Sequence, residues 1–292
     1  MNLLLTGLAI IILSLQSLFC KLFARHYPDQ DAGAASSVFN LSYGLFAGAA
    51  TLLLAGLRFS PSPATWLLGL LNAGMLFLYN LAMIQAGRTG SYAFQTIAML
   101  FGGIVVPLLY GVLFLQDTLS PLQWAAILLM LVSFVLLNLK SLSLKGNSKR
   151  FLFWCLVLFL ANGFYGVLMN LQQMRMQGTE RNEMIMLTYL GMALLSAALQ
   201  GARNPRGMLS GFRMPRKPLI FLLLCCLCAT IGCHMTLFML GRIDAAVYYS
   251  LVNGGVLLLS VVYSRILFQE KLAPAQMMGF ALALGAMVML SV

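Results

Sequence analysis

The residues of this chain that could do chemistry are mostly uncharged and polar, and they lie inside long apolar runs. In lipid, an exposed amide or phenol would leave donors and acceptors unpaired, so such side chains should face the interior of a helical bundle. Together they could hydrogen-bond a polar solute and pack rings against its flat or apolar part. The candidate substrate-binding residues are Gln16, Tyr43, Tyr79, Asn80, Gln95, Asn162, Tyr165, Tyr189, His234, Tyr249 and Asn253.

Each of these residues also has a structural interpretation, in which it only joins two helices at about 0.6 kcal/mol per hydrogen bond. For any single residue the two interpretations are about even. Gln16 and Asn162 favour a binding site, because they fall at corresponding positions of two similar halves of the chain. Tyr92 and Tyr248 lie near expected helix starts and could instead belong to an interfacial aromatic belt.

His234 is the one histidine expected inside the membrane. It could take up a proton and couple proton movement to solute movement. The alternative, which we favour slightly, is a neutral imidazole hydrogen-bonded within the bundle.

Acidic residues are few and do not lie in the middle of any apolar run. A charge at the centre of a membrane helix costs at least about 2.5–3.5 kcal/mol, so one kept there would indicate function. Cation/proton antiport through a buried carboxylate is therefore disfavoured, and a neutral, zwitterionic or anionic solute fits better. The seven acids are Asp29, Asp31, Asp117, Glu180, Glu183, Asp244 and Glu270.

No Ser/His/Asp set or carboxylate pair suggests catalysis, so we expect neither an enzyme nor a cofactor. The six cysteines lie in apolar runs, where cysteine is commonly a small buried apolar residue. Zinc would need four convergent ligands, so no metal site is expected. A membrane enzyme with metal at Cys226, Cys233 and His234 remains an alternative.

Composition indicates whether water or lipid surrounds the fold that must position these polar residues. The 292-residue chain is 61% hydrophobic and 9% charged, which leaves too little polar surface for a soluble domain of this size. A spanning helix needs about 20 apolar residues, so about ten spans fill the chain. We expect an all-α polytopic protein of the bacterial inner membrane, with lipid and a small-molecule solute as partners, either monomeric or homodimeric.

The net charge of +11 does not indicate a nucleic-acid partner, because the basic residues punctuate apolar runs as membrane loops do. Their distribution weakly favours both termini outside the cell.

One stretch of the chain occurs twice and sets the predicted architecture. The order Gly-Arg, Gly-Gly, Tyr, Gln-acid-x-Leu-x-Pro-x-Gln runs from Gly87 to Gln123 and again from Gly241 to Gln276. We interpret it as an internal duplication. The first copy opens with an expected tight corner at 87–90, and the helix after it is expected to run to about Leu115.

The duplication predicts ten transmembrane helices in two five-helix repeats, residues 1–139 and 151–292, joined by a linker at 140–150. An odd number of helices per half means that the second half crosses the membrane in the opposite direction. The repeats should therefore be inverted, with a solute site near the midplane between them.

The chain resembles the drug/metabolite transporter superfamily, in particular its ten-helix EamA-type members. The resemblance is carried by the acid-x-Leu-x-Pro corner after helices 4 and 9, by the Gly-led corner before those helices, and by Gln16 with Lys21 in helix 1. It implies that helices 1–4 and 6–9 surround a central cavity, with helices 5 and 10 peripheral.

These observations predict a secondary transporter that moves a small polar metabolite by alternating access, with export of an amino acid or related solute as first choice. Uptake of a nucleobase, sugar or other neutral solute is the alternative within transport. A lipid-carrier flippase subunit is the alternative outside it, and a long lipid-facing slot would distinguish it.

Overall fold

The structure is a computed structural model that describes residues 2–27, 32–89, 92–115, 120–137, 149–203, 214–267 and 274–291. The regular structure in these ranges is entirely helical. The ten α-helices are α1 (Asn2–His26), α2 (Ala32–Leu54), α3 (Pro63–Thr89), α4 (Tyr92–Tyr110), α5 (Pro121–Leu137), α6 (Lys149–Arg175), α7 (Arg181–Arg203), α8 (Arg216–Leu240), α9 (Ala245–Leu267) and α10 (Pro274–Ser291).

Six of these helices are long and apolar enough to cross a bilayer: α1, α2, α3, α6, α7 and α8. Shorter apolar stretches lie in α4, α5, α9 and α10. The outward surface is rich in large apolar side chains, with Leu194 70% exposed and Leu53 also 70% exposed. Surface of this kind is stable against lipid and not against water, which indicates a multi-pass integral membrane protein.

One helix end differs from the sequence-based expectation. No corner forms at Gly87, because α3 continues through it to Thr89. Helix α4 ends at Tyr110 and passes into a π-helical turn, Gly111–Leu115. Pro107 lies just before this turn and has no N–H to donate to the preceding turn, a common cause of local helix widening.

Proline begins α5 and α10, since it is well suited to the first position of a helix. At the start of α5, the Ser120 backbone N–H donates to Gln123 Oε1 at 2.9 Å, and the Gln123 N–H donates to Ser120 Oγ at 3.2 Å. This reciprocal capping box satisfies two amides that the first helical turn leaves unpaired. The preceding Gln-acid segments, 116–119 and 269–273, and the linker at 140–148 lie outside the described residues.

Most of the packing joins helices from different halves of the chain. Helix α5 packs on α10, α2 on α7 and α8, and α1 on α8 and α9. Helix α3 packs on α6 and α7, and α4 packs on α6 and α9. The two halves therefore form one core and do not make separate bundles.

Helices α2 and α7 are antiparallel. Near the start of α2, Ser37 Oγ donates to Gln200 Oε1 at 3.1 Å, close to the end of α7. Further along, Gly44 lies against the backbone of Tyr189, and Gly48 lies against Leu190. The Gly44/Gly48 spacing thus permits a close approach of the two helices.

A polar cluster joins two connections at one end of the bundle. Glu180 Oε2, just before α7, accepts hydrogen bonds from the Ser62 N–H at 3.0 Å and from Ser62 Oγ at 2.9 Å, just before α3. Thr65 and Gln172 hydrogen-bond each other nearby, which adds α6 to the cluster. The start of α3, the end of α6 and the start of α7 therefore lie at the same end of the molecule.

Gly102 provides a test of the α4–α6 packing. A Cβ at this position would overlap the backbone carbonyl of Phe159 on α6. Gly102→Ala should therefore destabilise the protein by about 1–3 kcal/mol, the usual cost of overpacking. The measurement is the thermal unfolding midpoint in detergent. Gly74→Ala is the matched control, because a Cβ at Gly74 meets nothing within 4 Å. Equal midpoints for both variants would contradict the packing.

Glu180 provides a test of the end cluster. Hydrogen bonds from the Thr65 hydroxyl and the Ser62 N–H lower the pKa of the Glu180 carboxyl below its usual value. Its ionised form therefore stabilises the fold above the unfolded-state pKa, and this contribution is lost as pH falls through the lowered folded-state pKa. Glu180→Gln should lower the unfolding midpoint at pH 7, and the difference from wild type should vanish in acid.

Glu183→Gln is the control for Glu180→Gln, since it removes the same charge without removing the bonds to Ser62. A Glu180→Gln protein as stable as wild type at pH 7 would show that the cluster contributes nothing to stability.

Candidate functional site: a central uncharged cavity

A cavity of about 140 Å³ lies in the middle of the bundle. One water needs about 10–15 Å³ of such space, so the cavity holds on the order of ten waters or a small solute. The lining residues come from α1, α2, α3, α4, α6, α7, α8 and α9, and none comes from α5 or α10 among the described residues.

Eight of the eleven candidate residues line this cavity, and they come from both halves of the chain. They are Gln16, Tyr43, Tyr79, Asn162, Tyr165, Tyr189, Tyr249 and Asn253. The hydrophobic effect does not explain this convergence, because these side chains carry polar groups. They meet because each needs a partner that lipid cannot supply.

Tyr43 and Tyr189 join the two halves across the centre. Their hydroxyl oxygens are 3.3 Å apart, and their ring centroids are 5.1 Å apart in an edge-to-face arrangement. Gln16 extends this chain of bonds, since its Nε2 donates to Tyr43 Oη at 3.2 Å. Helices α1, α2 and α7 therefore contribute one connected polar wall.

Glycine lets two amides approach helix α4 on the opposite wall. A Cβ at Gly103 would lie 2.7 Å from Asn162 Nδ2 and 2.8 Å from Asn253 Nδ2. Asn162 Nδ2 donates to the Met99 carbonyl at 2.7 Å, so it also anchors α6 to α4. The Asn253 side chain is half-buried and makes no hydrogen bond within the described part of the chain.

The remaining tyrosine hydroxyls of the cavity are held by protein groups. Tyr249 Oη donates to the Gly166 carbonyl at 3.1 Å, and Tyr79 Oη donates to Met99 Sδ at 3.0 Å. Tyr165 Oη lies 3.5 Å from Cys233 Sγ. These bonds fix the rings, so the cavity presents mainly ring surfaces with a few amides between them.

No Asp, Glu, Lys, Arg or His is among the residues that line the cavity in the described ranges. A fully charged solute would meet no opposite charge on this wall. Such a site can pair neutral donors and acceptors, whereas burying an unpaired charge is costly.

Three candidate residues lie outside the cavity. Asn80 Nδ2 contacts Met192 Sδ at 3.3 Å, and Gln95 Nε2 donates to the Met83 carbonyl at 2.6 Å. His234 Nε2 lies 3.4 Å from Thr51 Oγ1, which places the imidazole between α8 and α2. The contacts of these residues are those of groups that join helices.

The candidate set omitted Ser17, Cys233, Thr236 and Tyr248, which also line the cavity. The belt interpretation of Tyr248 is wrong, because its side chain is fully buried and its Oη lies 3.1 Å from Thr236 Oγ1. Ser17 and Tyr248 carried a sequence signal as polar residues inside apolar runs. Thr236 and Cys233 carried little, since both are common in apolar helices. The side chain of Tyr92 is outside those described.

The possible metal ligands do not form a site in the described residues, where no group of three or more His, Cys, Asp or Glu side chains could hold a metal ion. Cys233 contacts Tyr165, and His234 contacts Thr51. Neighbouring residues on one helix point about 100° apart, so Cys233 and His234 face different partners.

Comparison with known proteins identifies the fold and no family. No family model matches the chain, and no curated protein matches it. One solved structure, described only as a crystal structure of a protein, superposes with a TM-score of 0.73 at 16% sequence identity. The match covers 99% of this chain and 96% of that chain, so the two share a fold along nearly their whole length.

Proposed function

We propose that this protein is a secondary transporter of the drug/metabolite type, and that it moves a small polar metabolite across the membrane by alternating access. The observation that carries the proposal is the central cavity, which is lined by uncharged polar side chains from both halves. A small, partly polar cavity within a membrane bundle is the expected form of a solute site.

The packing supports two inverted five-helix repeats. Each helix can be replaced by the helix five positions further along the chain, with α1 following α10. Every packed pair that joins the two halves, as described above, then becomes another pair of the same set. Thus α1 on α8 corresponds to α6 on α3, and α2 on α7 corresponds to itself. Because α2 and α7 are antiparallel, the repeats that contain them would run in opposite directions. In this proposal all ten helices span the membrane.

Inverted repeats supply a mechanism for alternating access. If the two halves rock about the central wall, the cavity opens to one side and then to the other. The Tyr43–Tyr189 contact lies between corresponding residues of the two halves, where such a motion changes distances least. The Ser62–Glu180 cluster joins both halves at one end, so it would open and close with the cycle.

From the sequence alone, the first-choice solute is an amino acid or related metabolite, moved outward, and the alternative is a neutral solute taken up. The absence of charge from the described cavity lining favours solutes without net charge. A flippase would need a long slot open to lipid, and the contribution of eight helices to one central cavity favours a carrier instead.

Transport measurements on purified protein in proteoliposomes test this function. A thermal-shift screen against metabolites first supplies a solute, because a ligand at 100 times its dissociation constant stabilises by about 2.7 kcal/mol. Gln16→Ala and Asn162→Ala should then lower solute flux several-fold, since each removes a polar group from the cavity wall.

Leu194→Ala is the matched control for flux, because Leu194 is exposed on the outer surface. It should transport at the wild-type rate. Folded Gln16→Ala and Asn162→Ala proteins that also move solute at that rate would contradict the site. A protein that moves no solute under any imposed gradient would contradict the function.

A further inference from the structure

We propose that the cavity accepts a planar heterocycle of no net charge whose edge carries an N–H donor beside an oxygen or ring-nitrogen acceptor, as in the lactam of a nucleobase. This inference rests on the proposed transport function and names its substrate class. It depends on one uncommitted amide, on the rigid tyrosine rings and on the uncharged lining.

The Asn253 carboxamide is the group that would form hydrogen bonds with the edge of the heterocycle. It lines the cavity, is half-buried, and has no hydrogen-bond partner within the ranges that the structure describes. A carboxamide carries a donor and an acceptor side by side, so it can form two parallel hydrogen bonds to a donor–acceptor edge. Asparagine pairs with adenine edges in this way in nucleic-acid recognition.

The other two amides each have an NH2 group committed to a protein partner. Asn162 Nδ2 donates to the Met99 carbonyl, and Gln16 Nε2 donates to Tyr43 Oη. Glycine at position 103 leaves room for the Asn253 side chain, because a Cβ there would be 2.8 Å from Asn253 Nδ2. One amide is therefore held ready for the solute, while its neighbours are held for the fold.

Tyrosine rings would provide the flat surfaces of the site. The cavity lining includes Tyr43, Tyr79, Tyr165, Tyr189, Tyr248 and Tyr249. Tyr43 is edge-to-face with Tyr189, and Tyr248 is edge-to-face with Tyr249 at a centroid distance of 5.7 Å. Their hydroxyls contact protein partners, so the rings cannot turn freely and offer fixed faces for a planar solute.

Other small solutes fit this cavity less well. A zwitterionic amino acid would bring a carboxylate and an ammonium to a described lining that holds no charged side chain. A sugar would bring many hydroxyls, each of which needs a partner, to a wall whose own hydroxyls are mostly engaged. A single-ring heterocycle needs only one matched edge and two flat faces.

The test uses the full-length protein in proteoliposomes with radiolabelled uracil as the probe. Wild-type protein should take up uracil along an imposed gradient. Unlabelled uracil should compete, whereas 1,3-dimethyluracil should compete about tenfold less well, because it keeps the ring and carbonyls but lacks both N–H donors. This comparison uses wild-type protein and does not depend on how a variant folds.

Asn253→Leu removes both hydrogen-bonding groups at similar volume and should lower uracil flux at least about tenfold. Leu194→Ala should leave uracil flux unchanged. Equal competition by uracil and 1,3-dimethyluracil, or full flux in a folded Asn253→Leu protein, would overturn the edge pairing. Transport of serine without transport of uracil would overturn the heterocycle while leaving the transport function intact. No flux of uracil, with no thermal shift by uracil, would overturn the heterocycle, and the absence of flux for every solute found in the thermal-shift screen would overturn the transport function as well.

Discussion

The hydrocarbon interior of a bilayer offers no hydrogen bonds, and this constraint governs where most polar side chains inside the described helices lie. Short hydroxyl side chains meet it within their own helix: Ser17 donates to the Leu13 carbonyl and Thr51 to the Ala47 carbonyl. Longer amide and phenol side chains reach neighbouring helices instead, as Asn162 and Tyr249 do. The bonds between helices therefore depend on the long polar residues, and these gather in the middle of the bundle.

Glycine makes that gathering possible, because the polar groups meet only where helix backbones approach closely. Gly44 and Gly48 bring α2 against α7, Gly102 and Gly163 bring α4 against α6, and Gly255 receives Ile10 of α1. These contacts hold the two halves together around the cavity. Under the proposed alternating access, the rocking of the two halves would take place at these interfaces.

The sequence predicted a helical membrane protein, and eight of its candidate site residues line the cavity. Prolines marked the starts of α5 and α10, and small residues marked the helix contacts of α2. Some candidate residues lie outside the cavity because the sequence does not show which way each helix is rotated about its axis. Tyr79 lines the cavity while the next residue, Asn80, contacts Met192, since one residue turns a helix by about 100°. Cys233 and His234 differ in the same way.

Composition and pattern alone determined that the chain is helical, that it belongs in a membrane, and that its amides and phenols face inward. These conclusions follow from the cost of exposing charges and unpaired polar groups to lipid, which depends on residue type and not on neighbours. Only the tertiary structure decided which inward-facing groups meet. That depends on how each helix is rotated and how it crosses its partners, which no single helix encodes. It is why Asn162 is committed to Met99 while Asn253 remains open to the cavity.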